Sequence, residues 1–415
     1  MKILGIETSC DETAASVVED GISILSNVVV SQIDIFKEYG GVIPEVAARS
    51  HLEVIMPVIN KALADASCSW DDIDAIAVTH APGLLGSLLI GTLTARTLAI
   101  LHNKPLYAVH HLKSHVYANW VLAIVQSDIS RSGARRSLPS PRGSRAIPRA
   151  AALRTPLRQE ISATHTPSFP LLALVVSGGH TQILYMRGHN QFEIVGTTVD
   201  DAVGECFDKV AKILGLPYPG GPSISAAAEG QHVLLGHAQG RSAKLTVLKE
   251  HADLQPGDAT KYRFPHPKVE GLNFSFSGLK TAVLREVQKT LDLPISHPSH
   301  DLKNHLDSQQ VADFAASFQK TAVDILAEKL EMALEKYPEV ASVVVAGGVS
   351  ANKVLREKLT SLSESRKIPV FFPAPMLSGD NGVMVAAAAY YEILSGVELT
   401  DPYKLNIYPR ISVEN

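Results

Sequence analysis

Residues 108–117 read AVHHLKSHVY and place His110, His111 and His115 close together. In a helix, His111 and His115 are i and i+4, with Cβ atoms roughly 5–6 Å apart on one face, so both rings can reach a single ion. In the H-E-x-x-H pattern of zinc metalloproteases, the Glu after the first histidine is the general base. Here Leu112 follows His111 and no carboxylate lies between the ligands. Peptide hydrolysis of that kind is therefore disfavoured. The competing reading is a structural pair satisfied by backbone carbonyls, and a third ligand would decide between them. Asp380, in PMLSGDNGVMVAAAAYYEIL (375–394), is the candidate. An Asp at the start of an apolar helix also serves as an N-cap. Joined to the two histidines, it makes a two-His, one-carboxylate set with positions left open for substrate on Fe2+ or Zn2+. Mg2+ prefers all-oxygen surroundings, so kinase chemistry fits this set poorly.

Four further stretches concentrate polar groups or glycine at turns. ETSCDET (7–13) packs three carboxylates and three hydroxyls into one connection. VSGGH (176–180), YPGGPS (218–223) and AGGVSAN (346–352) each carry a glycine pair. Such turns let backbone N–H groups approach an anion, and a helix N-terminus favours negative charge. One glycine pair is weak evidence, but several at strand ends suggest a nucleotide or phosphate cleft. The chain has no GxxxxGK[ST] and no GxGxxG after its first strand, so neither a P-loop nor a Rossmann dinucleotide site is supported.

The elements that must hold these residues alternate between short apolar strands and helices, the pattern of an α/β fold. Residues 2–7 and 21–30 read as the two strands of an antiparallel start. Residues 74–82 form a strand that leads through a glycine loop into a helix over 84–101. The scheme then recurs: 170–186 repeats the opening hairpin, and 341–359 repeats the strand, glycine loop and helix. Two duplicated lobes around a cleft follow, with 1–118 as the first (completed by 395–415) and 119–394 as the second. Two stretches stand outside this scheme. Residues 126–169 hold eight Arg against two acids, are rich in Ser, Pro and Ala, and lack apolar periodicity, which predicts a loose or disordered insertion. Residues 229–268 form a second irregular insertion.

The chain has 415 residues, 46% of them hydrophobic and 19% charged, with a net charge of −4. That composition predicts a soluble globular protein with a sizeable core. Cys10, Cys68 and Cys206 show no CxxC spacing, which points to a reducing compartment. The apolar run 83–101 is broken by Gly residues and Arg96, a poor membrane span. A cytoplasmic location without membrane attachment is expected.

Taken together, GIETSCDET, HHLKSH, VSGGHTQI, GECFDKVAKILGLPYPGGP, FSFSGLKTAV, AGGVSAN and DNGVM resemble the universal tRNA N6-adenosine threonylcarbamoyltransferase family. Its bacterial and mitochondrial members were once called O-sialoglycoprotein endopeptidases. The resemblance spans about residues 1–120, 170–228 and 269–410. It implies the duplicated actin/sugar-kinase/Hsp70 architecture and transfer of a threonylcarbamoyl group from threonylcarbamoyl-AMP to N6 of adenosine 37 in tRNAs reading ANN codons. It further implies one divalent metal per subunit, Fe2+ or Zn2+, on His111, His115 and Asp380, with His110 outside the ligand set. Val175, Val176, Ser177, Gly178, Gly179, Asp208, Gly221 and Asn352 match its adenylate-binding positions. No catalytic side chain is implied, although Asp11 and Glu12 are placed to assist proton transfer. Partners implied besides tRNA are an inactive paralogous subunit with a small ATPase (bacterial type) or a second copy (mitochondrial type). The two insertions depart from the family pattern. The arginine-rich one carries a charge that could add phosphate contacts to tRNA. A small-molecule kinase of the same architecture, a metallopeptidase and a non-catalytic scaffold are the rival readings.

Overall fold

The computed structural model describes residues 1–37, 39–121, 166–231, 255–299 and 301–414. Most of both expected insertions, 126–165 and 232–254, lies outside the described residues. The strands are β1 (Lys2–Glu7), β2 (Glu12–Glu19), β3 (Ser23–Ile24), β4 (Val28–Ser31), β5 (Ala75–Ala81), β6 (Leu106–His110), β7 (Leu171–Val176), β8 (Thr181–Gly188), β9 (Gln191–Thr197), β10 (Ser342–Ala346) and β11 (Val370–Phe371). The helices are α1 (Ile33–Phe36), α2 (Pro44–Asp65), α3 (Leu85–Leu101), α4 (His111–Tyr117), α5 (Val203–Leu214), α6 (Gly220–Ala228), α7 (Ser277–Thr290), α8 (Ser308–Lys336), α9 (Lys353–Arg366) and α10 (Gly382–Leu394).

The strands form two sheets of the same design. The first runs β3-β2-β1-β5-β6, with β4 also on β2, and the second runs β9-β8-β7-β10-β11. In each, an antiparallel hairpin is followed by two strands parallel to its first member. This is the duplicated α/β architecture of the actin/sugar-kinase/Hsp70 class. Every residue of β7 and β10 is buried, as expected for strands covered on both faces.

The second strand differs from the sequence expectation. The connection after β1 is only residues 8–11, and the partner strand is Glu12–Glu19 rather than 21–30, which holds a turn and two short strands. Both faces of β2 are covered, by α2 and by α10. Small residues (Ala14, Ala15, Ser16) admit those helices, so no alternating apolar pattern marks the strand.

Helices α4 and α10 lie between the two sheets, within a core that joins Ile3, Ala75 and Val109 of the first to Ala173, Val344 and Ala346 of the second. Residues 382–394 were expected in the second lobe, yet α10 packs against β1, β2, β5 and β6 of the first sheet. The contact is too close for any side chain. A Cβ on Gly5 would lie 2.1 Å from the Gly382 carbonyl oxygen, and one on Gly382 would lie 2.6 Å from that of Gly5. This backbone contact brings the start of α10 against the first sheet. The described end of the second insertion also packs on the body: the Asp258 N–H donates to Asp313 Oδ1 (2.9 Å) on α8, and Tyr262 stacks on Phe314.

Candidate metal centre

Strand β6 ends at His110 and α4 begins at His111, so the helix rises from the C-terminal edge of the first sheet. His110 is the N-cap of α4, with Nδ1 accepting the Leu112 N–H (3.2 Å). Its Nε2 stands 3.4 Å from the Ile411 carbonyl oxygen. Burial lowers its pKa to about 3, so the ring is neutral at ordinary pH. His110 therefore has structural work to do and points away from the ligand set.

One turn on, the His111 and His115 rings meet edge to face with centroids 4.6 Å apart. Asp380 Oδ1 stands 3.1 Å from His115 Nε2 and 3.7 Å from His111 Nε2. The three donor atoms lie within 4.8 Å of one another. A tetrahedral ion with metal–ligand bonds of about 2.0–2.1 Å holds its ligand atoms ~3.3 Å apart. The capping role open to Asp380 belongs instead to Asn381, whose Oδ1 accepts the Met384 N–H (2.9 Å). Asp380 is thereby left to face the histidines.

Two observations test whether these residues fit a metal. His115 is buried, and among the described residues neither of its ring nitrogens makes a hydrogen bond; its approach to Asp380 is close but off-axis. An unsatisfied buried polar group is costly, and an ion would satisfy Nε2. His111, for its part, is held by a carboxylate on its far side, with Nδ1 at 3.2 Å from Glu7 Oε2. Glu7 is fully buried, and its two oxygens also accept from Thr79 Oγ1 (2.6 Å) and the Ser9 N–H. A carboxylate behind a ligating histidine fixes the tautomer that presents Nε2 to a metal. The donor set fits.

The electrostatics agree with that geometry. Burial alone would lower the His111 pKa, but Asp380 and Glu7 raise it to about 9. Burial would raise that of Asp380, and His111 and His115 instead pull it down. Without an ion the site thus carries protons that a metal would displace. Asp11 ends the turn after β1 and Glu12 opens β2; burial, with the charge of Asp380, raises the pKa of both, and Asp11 raises that of Glu12 further. The sequence marks Glu7 only as a carboxylate that ends a buried strand. His180 closes the VSGGH stretch. Burial, followed by the charges of His111 and His115, lowers its pKa to about 4.

The expected adenylate residues lie at the corresponding edge of the second sheet. Val175 and Val176 are fully buried, so only their backbone is available to a ligand. Ser177 closes a turn with His180 through paired contacts (2.8 and 3.1 Å). Gly178, Gly179 and Gly221 face open space, and a Cβ on any of them would meet nothing within 4 Å. Packing does not require glycine there, which leaves bare backbone at the cleft. Asp208 Oδ1 accepts the Gly220 N–H (2.6 Å), and burial raises its pKa to about 6. Asn352 is occupied within the protein: its Oδ1 accepts the Leu355 N–H (3.0 Å) as the N-cap of α9. Its Nδ2 donates to Gln319 Oε1 (2.8 Å) and Ser225 Oγ (3.2 Å), two partners the sequence did not suggest.

A family model described as tRNA N6-adenosine threonylcarbamoyltransferase matches residues 23–126 and 156–387. The chain belongs to that family. Proteins bearing the same name from Symbiobacterium thermophilum and Thermomicrobium roseum are each 42% identical to it. The first alignment covers 95% of this chain and 92% of the relative, the second 96% and 93%. The dehydratase component A from Acidaminococcus fermentans, a solved structure, aligns at 12% identity and a TM-score of 0.43, covering 95% of this chain and 99% of that one. The interval between the two matched segments, 127–155, falls inside the arginine-rich stretch.

Proposed function

We propose that this protein transfers the threonylcarbamoyl group from threonylcarbamoyl-AMP to N6 of adenosine 37 in tRNAs reading ANN codons, releasing AMP. The observation that carries the proposal is the family match over 23–126 and 156–387, segments that include His111, His115 and Asp380, together with the convergence of those three side chains. In the reaction, N6 attacks the carbamoyl carbon, the bond from that carbon to the phosphate oxygen breaks, and N6 loses a proton. An exocyclic aromatic amine is a weak nucleophile, so rate enhancement rests on positioning and on stabilising the charge that moves to phosphate.

His111, His115 and Asp380 would hold one divalent metal, Fe2+ or Zn2+, with Glu7 orienting His111. When bound, such an ion supplies Lewis-acid stabilisation to substrate oxygens. The open glycines at 178, 179 and 221 admit the adenylate to bare N–H groups. Asp208 lies within reach of the same cradle as an acceptor for ribose or base. Asn352 shapes the cradle from behind, since its polar atoms are already paired. Asp11 and Glu12 are the acids we assign to assist removal of the proton from N6. Among the described residues, no helix is long and apolar enough to cross a membrane. We assign the chain to the cytoplasm on composition. As partners we assign an inactive paralogous subunit with a small ATPase, or a second copy of the chain.

The experiment supplies threonylcarbamoyl-AMP and unmodified tRNA directly and follows the modified nucleoside. Wild type should convert the tRNA, while His111→Ala, His115→Ala and Asp380→Ala should each lose most activity and most bound metal. A wild-type protein that holds metal and partners yet transfers nothing would sink the assignment.

A further inference from the structure

The connection between α7 and α8 carries a second cluster of histidine and carboxylate groups. In ISHPSHDLKNHLD (295–307), His297, Asp301 and His305 are spaced four apart. Both imidazoles converge on one oxygen: Asp301 Oδ2 lies 3.1 Å from His297 Nε2 and 3.3 Å from His305 Nε2. The rings stand edge to face, centroids 5.7 Å apart. The three donor atoms lie within 4.8 Å of one another. Two of the separations already match the ~3.3 Å between ligands of a tetrahedral ion.

The surroundings hold this arrangement in place. Asp301 Oδ1 accepts from Asn304 Nδ2 (2.7 Å), which orients the carboxylate and leaves Oδ2 for the histidines. Buried Gln288 on α7 donates through Nε2 to the carbonyl oxygens of Ile295 (3.1 Å) and His297 (3.3 Å). Between the ligands, Leu302 is fully buried in the core of the second sheet, and backbone bonds from Asp301 to Pro298 and from His305 to Leu302 tighten the loop. A short chain segment anchored at both ends thus presents two imidazoles and one carboxylate at a partly exposed surface. An amide that holds a carboxylate, as Asn304 holds Asp301, is the kind of support metal sites use outside their ligand shell.

We propose that His297, Asp301 and His305 form a second metal site, separate from the one on α4, that takes a divalent transition metal of the Zn2+ class. Two nitrogens and one carboxylate oxygen suit Zn2+, Co2+ or Ni2+ and not the all-oxygen preference of Mg2+ or Ca2+. The site clips the connection leading into α8, the long helix that carries Gln319 beneath Asn352. An ion held by these three ligands would keep a fourth position for water.

Zinc alone is the probe, added to the metal-stripped full chain, with stoichiometry read by elemental analysis after removal of free ion. Wild type should bind two Zn2+ per chain, and His297→Ala/His305→Ala only one. On a His111→Ala/His115→Ala background, the remaining ion should disappear when His297→Gln and His305→Gln are added. In that background, zinc should raise Tm only while His297 and His305 are present. Equal zinc content in wild type and His297→Ala/His305→Ala, both folded by circular dichroism, overturns the proposal. Loss of zinc on substituting His111 and His115 alone reports on the first centre and is read independently of this one.

Discussion

Replacing Glu7 with Gln keeps the side chain's shape and removes its charge from a fully buried position. The carboxylate accepts the Ser9 N–H on one oxygen, and the Thr79 hydroxyl (2.6 Å) with His111 Nδ1 (3.2 Å) on the other. An amide can satisfy only one of these sides as acceptor. If its oxygen stays on Ser9, its NH2 faces His111 Nδ1, which must then accept. The His111 proton moves to Nε2, the lone pair meant for the metal is lost, and affinity falls. Substitutions behind a ligating histidine typically cost about 10–100-fold in metal affinity, or ~1.4–2.7 kcal/mol. If the amide oxygen turns to His111, its NH2 meets the Ser9 N–H. Two buried donors then lack an acceptor, a loss of about 1–3 kcal/mol that appears as lowered stability. Zn2+ affinity by competition with a chromogenic chelator reads the first branch, and denaturant unfolding of the metal-free protein reads the second. A Glu7→Gln protein with wild-type values in both, under conditions where Asp380→Ala has lost its metal, would refute the orienting role.

His110→Ala should retain bound metal and lose about 1 kcal/mol of stability, because the ring caps α4; loss of metal would make it a ligand after all. Asn352→Ala should destabilise the fold by ~1–2 kcal/mol in urea unfolding, through the α9 cap and its bonds to Gln319 and Ser225. Gly178→Val should leave Tm almost unchanged and abolish AMP binding by calorimetry, since its Cβ meets nothing in the protein; intact AMP affinity would move the adenylate elsewhere. Glu392 is buried, and burial, only partly offset by Lys113, raises its pKa from 4.5 to about 7. A raised folded-state pKa means its contribution is complete below the unfolded value near 4.5 and lost as pH rises through 7, ~3 kcal/mol in all. Glu392→Gln should therefore raise Tm at pH 8 relative to wild type and change it little at pH 4; an equal effect at both would refute the burial argument.

Several parts of this protein were legible in its residues because they depend on local pattern. The i, i+4 histidines follow from helix geometry alone, and α4 presents them as expected. The strands 74–82 and 170–186 and the segment 341–359 announced themselves by continuous apolar runs, with turns at their ends. Strand β2 did not, since small residues covered by helices on both faces have no alternation to read. Asn352 read as a ligand-facing residue, whereas its amide is divided between a helix cap and two side chains far away in sequence.

Residue types and spacing by themselves singled out a candidate set of two histidines and one carboxylate, and they carried the duplicated order of elements and the family resemblance. Tertiary structure alone decided which carboxylate serves which histidine. Asp380 and Glu7 are 373 positions apart, yet they face the two sides of His111 because Gly5 and Gly382 let α10 lie directly against β1. Helical spacing sets one ring relative to another only along its own helix. Bringing acids to both sides of that helix required the packing of a strand from one end of the chain against a helix from the other.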